Sequence, residues 1–319
     1  MDRLLHDLPL NQRAKPDSMT IGKSIRIYLS EGTVTGIRYV ELVNWTGQAV
    51  ACPRNRLSEL AEWPEANNPG VYFLFEGQAA DSKPLAYIGE SENVAKRLAS
   101  HDRQKEFWNE VVIFTSKDEN LTKAHVKYLE SSLATLTTLA NRYELENGNT
   151  PPEASLPRAD RDAMEEFIVN VRMILPVLGH PILEPLLREP SVVDPTTTLS
   201  ISQEDEVDIL QNLTFGVNNL EARGAVTDEG FVLKTGSQVS LASSESMPGK
   251  LHRIKQGYID DGTLTPYPDC YVASRDILFG SSSYAAAIVA GTSRSGPQGW
   301  KADDGRTIKQ IEDERLGDT

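Results

Sequence analysis

The sequence predicts an α+β protein in which a small three-stranded sheet is flanked by helices and a separate C-terminal domain follows. The chain has 319 residues, which is enough for two or three domains. Short aromatic and β-branched runs alternate with segments of helical periodicity between residues 70 and 143. Pro151-Pro152 and then an acidic, Ser/Thr-rich stretch interrupt this pattern. The expected divisions are a β-rich lead-in over 1–66, an α/β domain over 67–150, a helical extension over 151–188, an acidic linker over 189–208 and an accessory α+β domain over 209–319.

The lead-in is predicted to contain three strands and one short helix. Apolar and polar side chains alternate over Ser24–Leu29, as they do in a half-buried strand. Two further strands are expected at Ile37–Val43 and Gln48–Ala51. The helical segment is Arg54–Trp63, which must end before Pro64 because a residue that precedes proline disfavours the helical conformation.

The α/β domain is predicted in the order strand, strand, helix, strand, helix. Gly70–Gly77 and Leu85–Ser91 are short, apolar and bounded by turn residues, so we expect them to pair as a hairpin. Asn93 is expected to cap the helix that follows. A third strand is expected at Phe107–Phe114, and leucines that recur with helical periodicity predict a long helix over Leu121–Tyr143. Such an order fits a small sheet covered by helices.

The second half of the chain is predicted to hold one long helix and a smaller α+β domain. Asp160–Leu178 is amphipathic and begins with acidic residues, which favour a helix N-terminus. Beyond the linker, Gly230–Lys234 is predicted as a strand and Leu251–Ile259 as a helix or turn. The serines at 281–283 precede an alanine-rich helix.

Charge and cysteine content narrow the function. The net charge is −14, but residues 151–232 alone carry −10, whereas residues 1–150 carry only −3. The α/β domain is therefore close to neutral, and we expect weak non-specific binding to nucleic acid. The two cysteines, Cys52 and Cys270, exclude a cysteine-based metal site. With no apolar run near ~18 residues and no secretory signal pattern, we expect a cytoplasmic protein without a membrane partner.

Four side chains that suit phosphate chemistry fall within about thirty residues of one another: Tyr72, Tyr87, Arg97 and His101. An arginine keeps its charge and matches phosphate oxygens, whereas tyrosine and histidine can each transfer a proton. Arg97 and His101 are four apart and share one helical face. Taken singly, such residues are more often packing or surface residues. Their combined spacing is what points to a site.

This spacing resembles the GIY-YIG nuclease superfamily. Gly70-Val71-Tyr72 stands where that family has its first triplet, and Tyr87-Ile88-Gly89 corresponds to the second. Arg97 follows Gly89 by eight residues, where the family keeps its arginine, and His101 completes an Arg-Leu-x-x-His pattern found in some members. The resemblance implies that Gly89 lies at the substrate. Glu90 departs from the family pattern, because many relatives carry a basic residue there.

The resemblance also implies a metal ligand on the long helix. Glu130 follows Lys127-Tyr128-Leu129, where the family places its metal-binding glutamate. A single carboxylate suits Mg²⁺ or Mn²⁺, since such cations keep most of their waters and take other ligands from substrate phosphate. The family has an asparagine about a dozen residues later. Asn141, Asn147 and Asn149 are alternatives for that position.

The function implied is a metal-dependent endonuclease that hydrolyses DNA in restriction, repair or defence. Tyr72 would be the general base, and Tyr87 would position the water or share that role. Arg97 would stabilise the phosphate, and His101 would relay a proton or hydrogen-bond a phosphate. The C-terminal part resembles an uncharacterised domain that often accompanies such nucleases and restriction-modification genes. A degenerate nucleic-acid or partner-binding module and a ribonuclease are the alternatives. A homo-oligomer or a restriction-modification partner remains open.

Overall fold

A computed structural model of the chain describes residues 22–77, 83–118, 120–147, 154–187 and 210–317. It confirms the α+β class, with several sheets, a β-rich N-terminal region and a separate C-terminal α+β region. Asn149 and the predicted linker over 189–208 lie outside the described residues. No helix within these ranges has the length and apolar content that crossing a membrane requires.

The first half of the described chain follows the predicted element order closely. Asn93 caps the first long helix by accepting the Lys96 N–H at 3.0 Å, and Asn141 ends the next helix in the left-handed conformation, with φ 55°. The elements are β1 Ile25–Leu29, β2 Arg38–Leu42, β3 Gly47–Pro53, α1 Leu57–Leu60, β4 Gly70–Glu76, β5 Leu85–Ser91, α2 Val94–Gln104, β6 Trp108–Ser116, α3 Lys123–Ala140, β7 Glu144–Leu145 and α4 Arg158–Val177.

The sheet is larger than the predicted three strands. Its order is β1-β2-β3-β6-β4-β5-β7, and every pair is antiparallel except β5 with β7. The lead-in joins the α/β domain because β3 pairs with β6 from Gly47 opposite Ser116 to Pro53 opposite Glu110. The lead-in and the α/β domain therefore share one seven-stranded sheet, in which the predicted strands β4, β5 and β6 form one part.

The two faces of the sheet are covered by different helices. Successive strand residues point to opposite faces, and β4 shows this clearly. Phe73 and Phe75 pack in the core formed with α3 and α4, whereas Tyr72 and Leu74 pack in a second core with α2. This alternation places Tyr72 on the same side of the sheet as His101 of α2.

The C-terminal region builds its own core from two small sheets. The elements are β8 Leu213–Val217, β9 Leu220–Thr227, β10 Gly230–Leu233, β11 Gln238–Val239, α5 Gly249–Asp260, β12 Leu264–Pro266, β13 Tyr271–Ala273, β14 Ile277–Phe279, α6 Ser282–Ala290, α7 Gly296–Gly299 and α8 Ile308–Gly317. One sheet has the order β14-β10-β9-β8 and the other β11-β13-β12. The alanine-rich helix α6 and Trp300 are both buried in the core of this region.

An arginine that follows α3 joins the two regions. Arg142 donates to both carboxylate oxygens of Glu229, at 2.5 and 2.6 Å, and also to the carbonyl oxygens of Glu184 and Pro185. Its side chain is only 8% exposed. Glu229 is half exposed, but a bidentate arginine–carboxylate pair has fixed geometry, so the C-terminal region is docked against the end of α3.

Candidate active site

Tyr72 lies at the centre of the candidate active site. The residue is fully buried, and its hydroxyl oxygen lies 2.8 Å from Nε2 of His101. The pKa of Tyr72 is raised above its usual value, mainly by burial and to a smaller extent by the neighbouring Tyr87, although Arg97 opposes this rise. The hydroxyl is therefore protonated in the resting site and needs an acceptor before its oxygen can take another proton.

His101 is suited to be that acceptor. It is 3% exposed. Its pKa is lowered to about 4, mainly by burial and then by the positive charges of Arg97 and Lys105. The imidazole is therefore neutral near pH 7, and its Nε2 can accept the proton of the Tyr72 hydroxyl. Its Nδ1 is buried, and no hydrogen-bond partner for it lies within the described parts of the chain.

Gly89 makes the position of Tyr72 possible. The two residues pair directly across β4 and β5. A Cβ atom on residue 89 would lie 2.3 Å from the Tyr72 hydroxyl oxygen and 2.9 Å from Cε1 of Tyr87. Such contacts are far closer than van der Waals packing allows, so the last residue of the second triplet must be glycine for both tyrosine rings to fit.

Tyr87 is held beside the Tyr72–His101 pair. Its ring centroid is 5.0 Å from that of His101 and 6.2 Å from that of Tyr72. The Lys105 Nζ lies 4.4 Å from the Tyr87 ring centroid, within the range of a cation–π interaction. Lys105 is in turn ion-paired with Glu146. The second tyrosine of the motif is therefore fixed from both sides.

Arg97 of α2 interacts with the Tyr72 hydroxyl and is itself exposed to solvent. This interaction raises the pKa of the guanidinium, against the effect of burial. The residue is four positions before His101 on the same helical face.

Glu130 lies where α3 passes the C-terminal end of β5, beyond the two β5 residues that pair with β7. The side-chain amide of Asn147 pairs with both backbone groups of Ile88, at 2.7 and 3.1 Å, so these groups point away from β4. The backbone groups of alternate residues along a strand point to the same side. The Glu90 N–H therefore points to the same side as that of Ile88, where it interacts with the Glu130 carboxylate. Burial, followed by the charge of Glu90, raises the pKa of Glu130 to about 7.

The oxygen donors at this edge fit a hard divalent cation. No group of three or more His, Cys, Asp or Glu side chains arranged for a metal occurs among the described residues. Glu130 and Glu90 are nevertheless two neighbouring carboxylates, and their mutual repulsion is relieved either by a proton on Glu130 or by a cation near them. Mg²⁺ binds through one or two carboxylates and keeps its remaining waters. The donor set therefore suits Mg²⁺ or Mn²⁺ and not zinc, which takes three or four protein ligands.

The three candidate asparagines occupy different places. Asn147 contacts the backbone of the second triplet, as described above. Asn141 is the C-terminal cap of α3, about 16 Å along the helix from Glu130, and its side chain accepts a hydrogen bond from Lys83. The structure thus brings Asn147, but not Asn141, to the site, and Asn149 lies outside the described residues.

Sequence reasoning missed Lys105 and Glu146. Lys105 continues the four-residue spacing of Arg97 and His101, so it could have been placed on the same side of α2 from the sequence. Glu146 carried no such signal. Its position depends on the pairing of residues 144–146 with β5, a contact between distant parts of the chain.

Comparison with known proteins covers the C-terminal region only. Residues 213–312 match the family description of a domain of unknown function, DUF4357. No curated protein and no solved structure shows a significant match. The match is consistent with the uncharacterised C-terminal domain expected over 209–319. It does not reach residues 70–130, where the resemblance to GIY-YIG nucleases rests on the motif residues.

Proposed function

We propose that this protein is a metal-dependent endonuclease that hydrolyses DNA phosphodiester bonds in the cytoplasm. The observation that carries the proposal is the 2.8 Å hydrogen bond between the Tyr72 hydroxyl and a neutral, buried His101. Binding of nucleic acid alone has no need for a buried tyrosine that is paired with a proton acceptor. Arg97 interacts with Tyr72 and also acts electrostatically on Glu130, so it links this pair to the carboxylate that would hold the metal in phosphodiester hydrolysis.

Proton transfer runs from water to Tyr72 and from Tyr72 to His101. As the water oxygen attacks phosphorus, the Tyr72 oxygen takes a proton from the water while its own proton passes to Nε2 of His101. This concerted path avoids a free phenolate, which the raised pKa of Tyr72 disfavours. Tyr87, held between His101 and Lys105, orients the water.

Arg97 has two roles in this scheme. In the resting site it covers the Tyr72 hydroxyl, which is why a fully buried tyrosine lies next to an exposed arginine. Substrate phosphate draws the guanidinium outward into a bidentate contact. That movement opens the hydroxyl to the attacking water and places positive charge on the phosphate.

Glu130, with Glu90 beside it, would hold one Mg²⁺ or Mn²⁺. When bound, the cation supplies positive charge for the departing 3′ oxygen. The Glu90 N–H that reaches Glu130 orients this carboxylate at the edge of β5. The Glu90 side chain would add a second carboxylate for the cation, which a basic residue in the same position could not supply.

A second candidate function is a binding module that has lost catalysis, which the raised pKa of Tyr72 favours, because a phenol that holds its proton tightly is a poor acid–base group. The experiment is incubation of the full chain with supercoiled plasmid, single-stranded DNA, branched DNA and RNA, with Mg²⁺ or Mn²⁺ and with EDTA. Tyr72→Phe should cut DNA 10²- to 10⁴-fold more slowly. Tyr143→Phe is the matched control, since Tyr143 also pairs with a histidine, His180, but on the other side of the sheet.

Each outcome separates the candidates. Metal-dependent cutting of DNA that Tyr72→Phe abolishes and Tyr143→Phe retains supports the endonuclease. Binding without cutting supports the module, and cutting of RNA alone supports a ribonuclease. Equal rates for Tyr72→Phe and the wild type would refute the role given to Tyr72.

A further inference from the structure

A cavity of about 410 Å³ lies between the α/β domain and the C-terminal domain. Its walls come from both domains and include Lys83, Asn141, Tyr143, Tyr258, Asp261 and Arg275. We call it the interdomain cavity. Small-molecule sites typically have volumes of ~300–1,000 Å³ and often form at domain interfaces. Lys83 precedes β5, whereas Gly89 is near its other end, so the cavity is about 20 Å from the candidate active site.

The interdomain cavity brings together two cations from different domains. Lys83 donates to Asn141 Oδ1, and Arg275 donates to Asp261 Oδ2 at 3.0 Å and to Thr263 Oγ1 at 2.6 Å. Burial, and after it the charge of Arg275, lowers the pKa of Lys83 to about 8. Arg275 is ion-paired with Asp261, and the second carboxylate of the wall, Asp276, accepts a hydrogen bond from the Thr235 N–H. Lys83 donates to an uncharged amide and makes no ion pair within the described residues, so an anion placed beside it would balance its charge.

The rest of the wall suits a flat ring. Tyr143 and Tyr258 contribute aromatic surface, and Pro84, Ile254 and Leu278 contribute apolar surface. Tyrosine rings and aliphatic side chains pack well against the faces of aromatic ligands. A ligand that fills the cavity would thus have a planar ring at one end and a negative charge at the other.

We propose that the interdomain cavity binds a nucleoside monophosphate, with the base against Tyr143 and Tyr258 and the phosphate between Lys83 and Arg275. The Asp261 carboxylate is placed to accept hydrogen bonds from the sugar hydroxyls. Because the ligand touches both domains, its binding stabilises the docking that Arg142 and Glu229 already provide. The proposal does not depend on nuclease activity.

The test is isothermal titration of the full chain with AMP, GMP, CMP and UMP, each up to millimolar concentration. At least one nucleotide should bind with one site per chain and a sub-millimolar Kd. The matching nucleoside and inorganic phosphate should bind at least tenfold more weakly, because each lacks half of the contacts. Lys83→Met should weaken nucleotide binding tenfold or more, since it removes the charge and keeps the aliphatic stem.

Two further variants complete the test. Lys250→Met is the control, because Lys250 is an exposed lysine of α5 outside the cavity wall, and it should bind as the wild type does. Arg275→Lys keeps a positive charge but loses the planar fork, and it should weaken binding without unfolding the domain. The proposal is overturned if none of the four nucleotides binds, if phosphate binds as tightly as the nucleotide, or if Lys83→Met binds as the wild type does.

Discussion

Replacing Gly89 by alanine tests the geometry of the candidate active site directly. The added Cβ would lie 2.3 Å from the Tyr72 hydroxyl oxygen and 2.4 Å from its Cζ, whereas ordinary van der Waals contact begins at 3.4 Å. The Tyr72 ring must therefore move by about 1 Å. The ring is fully buried between the sheet and α2, so this movement must displace neighbouring core atoms as well.

The cost of Gly89→Ala has two parts. Overpacking of a buried site costs ~1–3 kcal/mol, and loss of the 2.8 Å hydrogen bond between Tyr72 and His101 adds ~1 kcal/mol. The free energy of unfolding should fall by about 2–4 kcal/mol in total. If the chain is an endonuclease, a catalytic group misplaced by about 1 Å should also slow cleavage by ~10².

Urea denaturation and plasmid cleavage measure the two effects. Gly216→Ala is the matched control, because Gly216 also lies in a strand, β8, and its Cβ would meet nothing within 4 Å. That variant should keep both the stability and the cleavage rate of the wild type. If Gly89→Ala proves as stable as Gly216→Ala, the close approach of Tyr72 to β5 is wrong.

Three further predictions concern the surroundings of the site and the C-terminal domain. Asn147→Ala removes both hydrogen bonds to Ile88 and should lower the free energy of unfolding by ~2 kcal/mol in urea; an unchanged midpoint would contradict this role. Arg142→Ala removes the bidentate contact with Glu229, so the two melting transitions seen by calorimetry should lie further apart in the variant than in the wild type; identical traces would show that the pair does not couple the domains. Lys255 is 3% exposed, and burial lowers its pKa to about 8, below the ~10.5 of the unfolded chain. Between these two pH values the unfolded chain binds more protons than the folded chain, so the free energy of unfolding should rise with pH by roughly 3 kcal/mol. In Lys255→Met this rise should vanish, and parallel stability–pH curves for the two proteins would refute the prediction.

The local order of the first half could be predicted because its signals are local. Short apolar strands, an Asn93 cap and a leucine periodicity each act within about ten residues. The end of α3 was placed three residues too late, at Tyr143. The helix stops at Ala140 because Asn141 adopts the left-handed conformation, which asparagine tolerates better than most residues.

The size of the sheet could not be predicted in the same way. The pairing of β3 with β6 joins residues more than sixty positions apart, and alternating side chains in each strand do not specify the partner. The lead-in was therefore expected as a separate division, although it forms one edge of the same sheet. Local patterns identify strands, whereas tertiary packing selects their neighbours.

The same distinction between local and long-range signals applies to the candidate site. Tyr72, Tyr87, Arg97 and His101 could be selected from spacing because they lie on adjacent elements. The choice among the asparagines could not, because only the approach of residues 144–147 to β5 places Asn147 beside Ile88. The proximity of two carboxylates at one strand edge also becomes visible only when α3 packs against β5.

The most direct test of the proposed function is the rate at which Glu130→Gln converts supercoiled plasmid to nicked and linear forms in Mg²⁺. This variant keeps the size of the side chain and removes its charge. The wild type should cut the plasmid, Glu130→Gln should be slower by at least ~10², and the control Glu144→Gln, an exposed residue of β7, should cut as the wild type does. Equal cleavage by Glu130→Gln and the wild type, or no cleavage by the wild type, would contradict a metal-dependent nuclease site at this edge of the sheet.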